Sequence, residues 1–149
     1  GDGAMDDDNE VLAPAKDINI YRSPDNLSDV IQNKQDRLVL DREKQALIIP
    51  MAGRMVPIHV SLIKNITSPD PDMRINFYTS GMTLGKEVNK NVKQLVVKYG
   101  DRAVYIKELT FRSTDGRNLP EIYKNFQELR KEMRQKELKH EQEKDLVRQ

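Results

Sequence analysis

Ala103-Val104-Tyr105-Ile106-Lys107-Glu108-Leu109-Thr110-Phe111-Arg112 is an unbroken run rich in β-branched and aromatic residues, and it reads as a strand. Leu119, Ile122, Phe126, Leu129 and Met133 follow at spacings of three and four, which puts five apolar side chains on one narrow stripe of a helix. Between them Ser113-Thr114-Asp115-Gly116 turns the chain, and Asn118 is the candidate N-cap. A stripe on a single helix needs a cover, and the only candidate upstream is a set of short strands. The expected architecture is α+β and mainly β: an antiparallel sheet or open barrel closed by one C-terminal amphipathic helix. In the run itself Val104 and Ile106 share one parity while Leu109 and Phe111 share the other, which predicts a bulge near Lys107 and Glu108.

The strands meant to lie under the helix come earlier. Met73, Ile75 and Phe77 alternate with Arg74, Asn76 and Tyr78, after a turn at Ser68-Pro69-Asp70-Pro71-Asp72. Val56, Ile58, Val60 and Leu62 share one parity against Pro57, His59 and Ser61, and a single strand is expected from there through Asn65-Ile66-Thr67. Arg37-Leu38-Val39-Leu40 and Ala46-Leu47-Ile48-Ile49 form a hairpin across the polar connection Asp41-Arg42-Glu43-Lys44. Pro50 has no N–H for a ladder, so it ends that strand or sits at an edge. Met51-Ala52-Gly53-Arg54 turns the chain again. Ahead of the hairpin, Ser23-Pro24-Asp25-Asn26 is a turn, and Leu27, Val30 and Ile31 make either one helical turn or an irregular segment on the core. Val88, Val92, Leu95, Val96 and Tyr99 fit helical spacing before Gly100, although Leu95-Val96-Val97 alone passes as a strand.

At 149 residues the chain is one domain with tails. Gly1-Asp2-Gly3-Ala4-Met5 reads as a cloning scar and residues 6–16 as an acidic disordered lead-in. The compact domain is expected over 17–133. Residues 134–149 are almost wholly charged or amide helix formers without an apolar face, a charged helical extension or linker. The net charge of +1 conceals five acids in the first ten residues, leaving about +6 on the remainder. That balance neither demands nor excludes nucleic acid. The absence of cysteine rules out disulfides and cysteine-ligated metal. No apolar run approaches the roughly 18 residues of a membrane span, and with no visible signal peptide the chain reads as cytosolic or nuclear.

No catalytic, cofactor or metal constellation emerges. His59 falls on the non-core parity and His140 in the polar tail, so both read as surface residues. The loop Ser80-Gly81-Met82-Thr83-Leu84-Gly85-Lys86 lacks the glycine spacing and the hydroxyl residue of a phosphate loop. One patch stands out. Ile48, Met51, Met55, Val56 and Ile58 surround a turn where polar residues are expected. Either they are core overflow or they form an adaptable apolar surface for a protein partner.

Short antiparallel strands closed by one C-terminal helix make a pleckstrin-homology-like layout. Several blocks resemble the large subunit of the FACT histone chaperone: Leu47-Ile48-Ile49-Pro50-Met51-Ala52-Gly53, Val56-Pro57-Ile58-His59-Val60-Ser61-Leu62-Ile63-Lys64-Asn65-Ile66, Met73-Arg74-Ile75-Asn76-Phe77-Tyr78, Tyr105-Ile106-Lys107-Glu108-Leu109-Thr110-Phe111-Arg112-Ser113 and Gln127-Glu128-Leu129-Arg130-Lys131-Glu132. Tyr21-Arg22 through Leu27 resembles the segment leading into that subunit's dimerisation domain, and residues 86–102 have no counterpart. The resemblance implies a pleckstrin-homology-like dimerisation domain that pairs with the N-terminal pleckstrin-homology-like domain of the small FACT subunit. It also implies a nuclear, chromatin-associated protein that acts in nucleosome reorganisation during transcription and replication. Histones would be reached through the complex, and this segment would perform no catalysis and take no small-molecule substrate. Two rivals remain: a phosphoinositide-binding pleckstrin-homology domain, and a direct histone or DNA binder. Lipid binding needs basic residues converging on the first hairpin, where Arg42 and Lys44 alternate with Asp41 and Glu43.

Overall fold

Ala46–Met51 forms the central strand of a three-stranded antiparallel sheet, and it is apolar on both faces because both faces are covered. This strand, β2, lies between β1 (Val39–Asp41) and β3 (Arg54–His59). A second antiparallel sheet runs β4 (Ile63–Thr67), β5 (Asp72–Phe77) and β6 (Glu108–Arg112), in that order. A short helix α1 (Asp29–Gln32) precedes the sheets and a long one, α2 (Asn118–Arg148), follows them. The computed structural model describes residues 19–68, 71–79, 84–85, 88, 90, 93–94 and 104–148, the side chains of 144–148 excepted. The scar and lead-in, the start of the compact domain, most of the loop 80–86 and the helical spacing between 88 and 99 fall outside those residues.

One face of β2 carries Leu47 and Ile49 into the main core. There they meet Ile63, Ile66, Met73, Ile75 and the helix stripe Leu119, Ile122, Phe126, Leu129 and Met133. All five stripe residues are buried, as their spacing requires. Ile48 points the other way, into a smaller cluster with Leu27 and Met55, flanked by Tyr21, Ile31 and Val39. The segment around α1 is therefore the lid on the outer face of the first sheet. Ser23 and Ser28 cap the 3₁₀ turn Pro24–Asn26 and α1, each accepting from a main-chain N–H.

The expected continuous strand from Val56 to Thr67 breaks in the middle. His59 Nδ1 accepts from Ser61 N–H at 3.2 Å, which caps a 3₁₀ turn at Val60–Leu62 and carries the chain from the first sheet to the second. His59 is consequently a half-buried corner residue and not a surface one. Burial pushes its imidazole down to about 4.

The last strand is shorter than its composition predicts. Pairing with β5 covers Asp72↔Arg112 to Asn76↔Glu108, and Phe77 N–H then donates to the Lys107 carbonyl at 3.0 Å. Beyond that pair no β5 partner follows among the described residues, and residues 104–107 precede the strand in irregular structure. The parity change is thus a strand end and not a bulge. Leu109 and Phe111 face the core, while Val104 is fully exposed and Ile106 is 42% exposed.

Asn118 is not an N-cap. Its Oδ1 accepts from Leu38 N–H and its Nδ2 donates to the Leu38 carbonyl, both at 3.0 Å, which ties the helix start to the residue before β1. In the turn before the helix, Asp115 Oδ1 accepts from Arg117 N–H at 2.9 Å. Past Met133 the described side chains are exposed, apart from half-buried Glu137, and the helix runs on to Arg148.

Candidate partner-binding surface

The β2–β3 hairpin closes in two residues, with Met51 opposite Arg54. Ala52 (φ 51) and Gly53 (φ 81) both take the left-handed region that such a turn demands. Glycine does this freely; alanine does it at a cost of about 1–2 kcal/mol. Opposed residues of a ladder share a face, so Val56 lies beside Ile49 and Ile58 beside Leu47 on the inner side. Met55 lies beside Pro50 on the outer side.

That parity sorts the five residues of the apolar patch. Ile48 and Met55 have no exposed surface and fill the outer cluster beneath the α1 segment. Met51 and Ile58 are half-buried and pack against the main core, and Val56 is half-buried beside them. The structure brings all five together on one hairpin, with surface left on three.

The outer edge of β3 is occupied. Gln32 Oε1 accepts from Met55 N–H at 3.1 Å and its Nε2 donates to the Met55 carbonyl at 3.3 Å. Arg54, at the hairpin tip, pairs with Asp25 of the first 3₁₀ turn. The α1 segment is thus pinned to β3 by one amide and one ion pair.

The first hairpin has little charge to offer. Arg42 reaches across to the helix, 2.7 Å from Glu128 and 3.5 Å from Glu132. Lys44 lies over the Tyr21 ring, 4.2 Å from its centroid. The Tyr21 hydroxyl donates to Asp41 at 2.7 Å, and burial together with that carboxylate pushes its pKa up to about 12. An anionic headgroup would find both cations of this hairpin already engaged, which disfavours the lipid reading. Among the described residues there is no group of His, Asp and Glu able to hold a metal ion, and no helix long and apolar enough to cross a membrane.

Sequence reasoning missed the exposed pair Val104 and Ile106 by assigning them to the strand interior. The parity change between Ile106 and Leu109 was the signal that only one of the two sets could face the core.

Over residues 38–149 the chain matches the family described as FACT complex subunit (SPT16/CDC68). It is 30% identical to "FACT complex subunit SPT16" of Oryza sativa subsp. japonica over 128 residues, 83% of this chain and 11% of that protein. The protein of the same description from Candida glabrata is 30% identical over 134 residues, 87% of this chain and 13% of that protein. The chain therefore spans little more than a tenth of the length of these curated relatives. Among solved structures, it resembles a chain of "Structure of the Spt16D Pob3N heterodimer" with a TM-score of 0.55 and 28% identity, covering 75% of this chain and 93% of that one. With the family matched over residues 38–149, most of its length, the chain belongs to the FACT complex subunit (SPT16/CDC68) family.

Proposed function

We propose that this chain is the dimerisation domain of a FACT large subunit, and that it pairs with the N-terminal pleckstrin-homology-like domain of the small FACT subunit. The observation that carries the reading is the likeness to a chain of a solved heterodimer, which this fold covers almost completely. The domain runs from about residue 17 to Met133, with 134–149 as a helical extension. It is non-catalytic, takes no cofactor, and works in the nucleus on chromatin as part of a chaperone that reorganises nucleosomes. Histones are reached through the assembled complex.

Apolar contact at the β2–β3 hairpin supports partner binding in this reading. Met51, Val56 and Ile58 retain surface, and Ile48 and Met55 hold the hairpin rigid from beneath. Apolar anchors held on a preformed hairpin bind at a reduced ordering cost.

Isothermal titration of this chain with the small subunit's N-terminal domain tests the proposal, beside sedimentation with phosphoinositide vesicles. Saturable one-to-one binding to the protein and none to the vesicles is the expected result. Vesicle binding without protein binding would reverse the assignment.

A further inference from the structure

Among the described residues, two three-stranded sheets leave four outer strands: β1, β3, β4 and β6. Exposed main-chain groups on an outer strand are an invitation to another strand, and proteins usually blunt them. Three of the four are blunted here. The N–H and carbonyl of Leu38, leading into β1, are held by Asn118. On β3 the same groups of Met55 are held by Gln32, and the next outward position is Pro57, which has no N–H. The β4 edge is kinked by a register shift between Ile63 and Asn65, and Arg130 of α2 donates to the Lys64 carbonyl at 2.6 Å.

Among the described residues, β6 has no such device. Because Phe77 bonds to Lys107, the antiparallel pattern assigns the odd-numbered residues of β6 to β5. The main-chain groups of Glu108, Thr110 and Arg112 therefore point away from the sheet, and they have no hydrogen-bond partner among the described residues. Their side-chain charges are already spent within the sheet, Glu108 on Arg74 at 3.0 Å and Arg112 on Asp72 at 2.7 Å. Leading into this edge are Val104 and Ile106, both exposed aliphatics. Its far end borders a groove of about 340 Å³ shared by Phe111, Leu38 and Pro50, the neighbour of Met51 on the apolar hairpin. The edge is thus continuous with the patch assigned to the partner above.

We propose that the open edge of β6 is the strand-pairing seam of the heterodimer, taking an exposed strand of the small-subunit domain with aliphatic side chains that cover Val104 and Ile106. This rests on the heterodimer reading. Main-chain pairing would supply affinity and the two aliphatics would set the register.

Thr110→Pro separates the two ideas, since it removes an outward N–H that the β5 ladder does not use. Titration against the small-subunit N-terminal domain is expected to lose at least about 100-fold in affinity while the thermal transition of the isolated chain stays in place. Val104→Lys with Ile106→Lys, both at exposed positions, is expected to lose at least about tenfold. Should the proline variant fail to fold, the double lysine variant and hydrogen exchange decide: the amides of Glu108, Thr110 and Arg112 must gain protection on binding. Wild-type affinity in the variants, or no added protection, overturns the seam and leaves the heterodimer intact. A wild-type chain that does not bind the small subunit overturns both. Loss of self-association in place of partner binding would make a second copy the occupant and overturn the assignment.

Discussion

Asn118 holds Leu38 by both of its main-chain polar groups, accepting from the N–H and donating to the carbonyl at 3.0 Å each across 80 residues of sequence. Leu38 is 2% exposed, so neither group has water to fall back on. Removing the amide orphans a buried donor and a buried acceptor, each worth about 1–3 kcal/mol. Asn118→Ala is expected to lower the urea unfolding free energy by about 2–4 kcal/mol. A loss below about 0.5 kcal/mol would mean the chain end simply peels to solvent.

Phe126 is fully buried between the helix and both sheets. Phe126→Ala is expected to cost about 3–5 kcal/mol, against a total stability of about 5–15 kcal/mol for a domain of this kind. Denaturant titration with an unchanged m-value would confirm that the loss is in the core.

Met55 and Met51 flank the same turn but answer differently to charge. Met55 is fully buried in the outer cluster, so Met55→Asp leaves an unpaired carboxylate inside and is expected to abolish cooperative unfolding. Met51 keeps surface, and Met51→Asp is expected to stay folded by circular dichroism while weakening small-subunit binding by about tenfold or more. Binding by Met51→Asp at wild-type strength would take the hairpin tip out of the interface.

His59 sets an acid limit. Its folded pKa of about 4 lies below the ordinary 6.5 because burial penalises the imidazolium, and its Nε2 is enclosed without a partner among the described residues. Between those values the unfolded chain binds more protons than the folded one. The stability from this group is complete above 6.5 and is lost as pH falls to about 4, up to about 3 kcal/mol in all. His59→Asn keeps an oxygen to cap Ser61 N–H and removes the titration. Its urea midpoint is expected to fall less than wild type between about pH 7 and pH 4.5; parallel curves would assign the acid loss to carboxylates.

The helix and its stripe were legible because Leu119 to Met133 obey one period against one cover. The hairpins were legible because Gly53 and Pro50 punctuate them. Pro50 in fact sits within β2, at the position where the β1 ladder stops, which is the edge its missing N–H requires. What alternation could not reveal is a change of sheet: Val60 and Leu62 continue the parity of Val56 and Ile58, yet a side-chain cap turns the chain between them. Nor does local spacing carry long-range amide contacts. Asn118 looks like a cap from its neighbours alone, and Gln32 looks like an ordinary surface residue, because their partners lie far off in sequence. For the apolar patch, composition drew attention to the hairpin, but strand parity and the α1 cover decide which side chains keep surface.

The Asn118–Leu38 clamp also imposes an order of events during synthesis. Leu38, which leads into β1, leaves the ribosome first, whereas the side chain that seals it is 80 residues behind. At about 5–20 residues per second, roughly 4–16 s separate the emergence of Leu38 from that of Asn118. Once Met51 has also emerged, the first hairpin is complete, and its flank stays unsealed for the rest of that interval. On a crowded polysome, where neighbouring chains display the same hairpin, the final helix acts as the closing step that ends the chain's exposure to its own siblings.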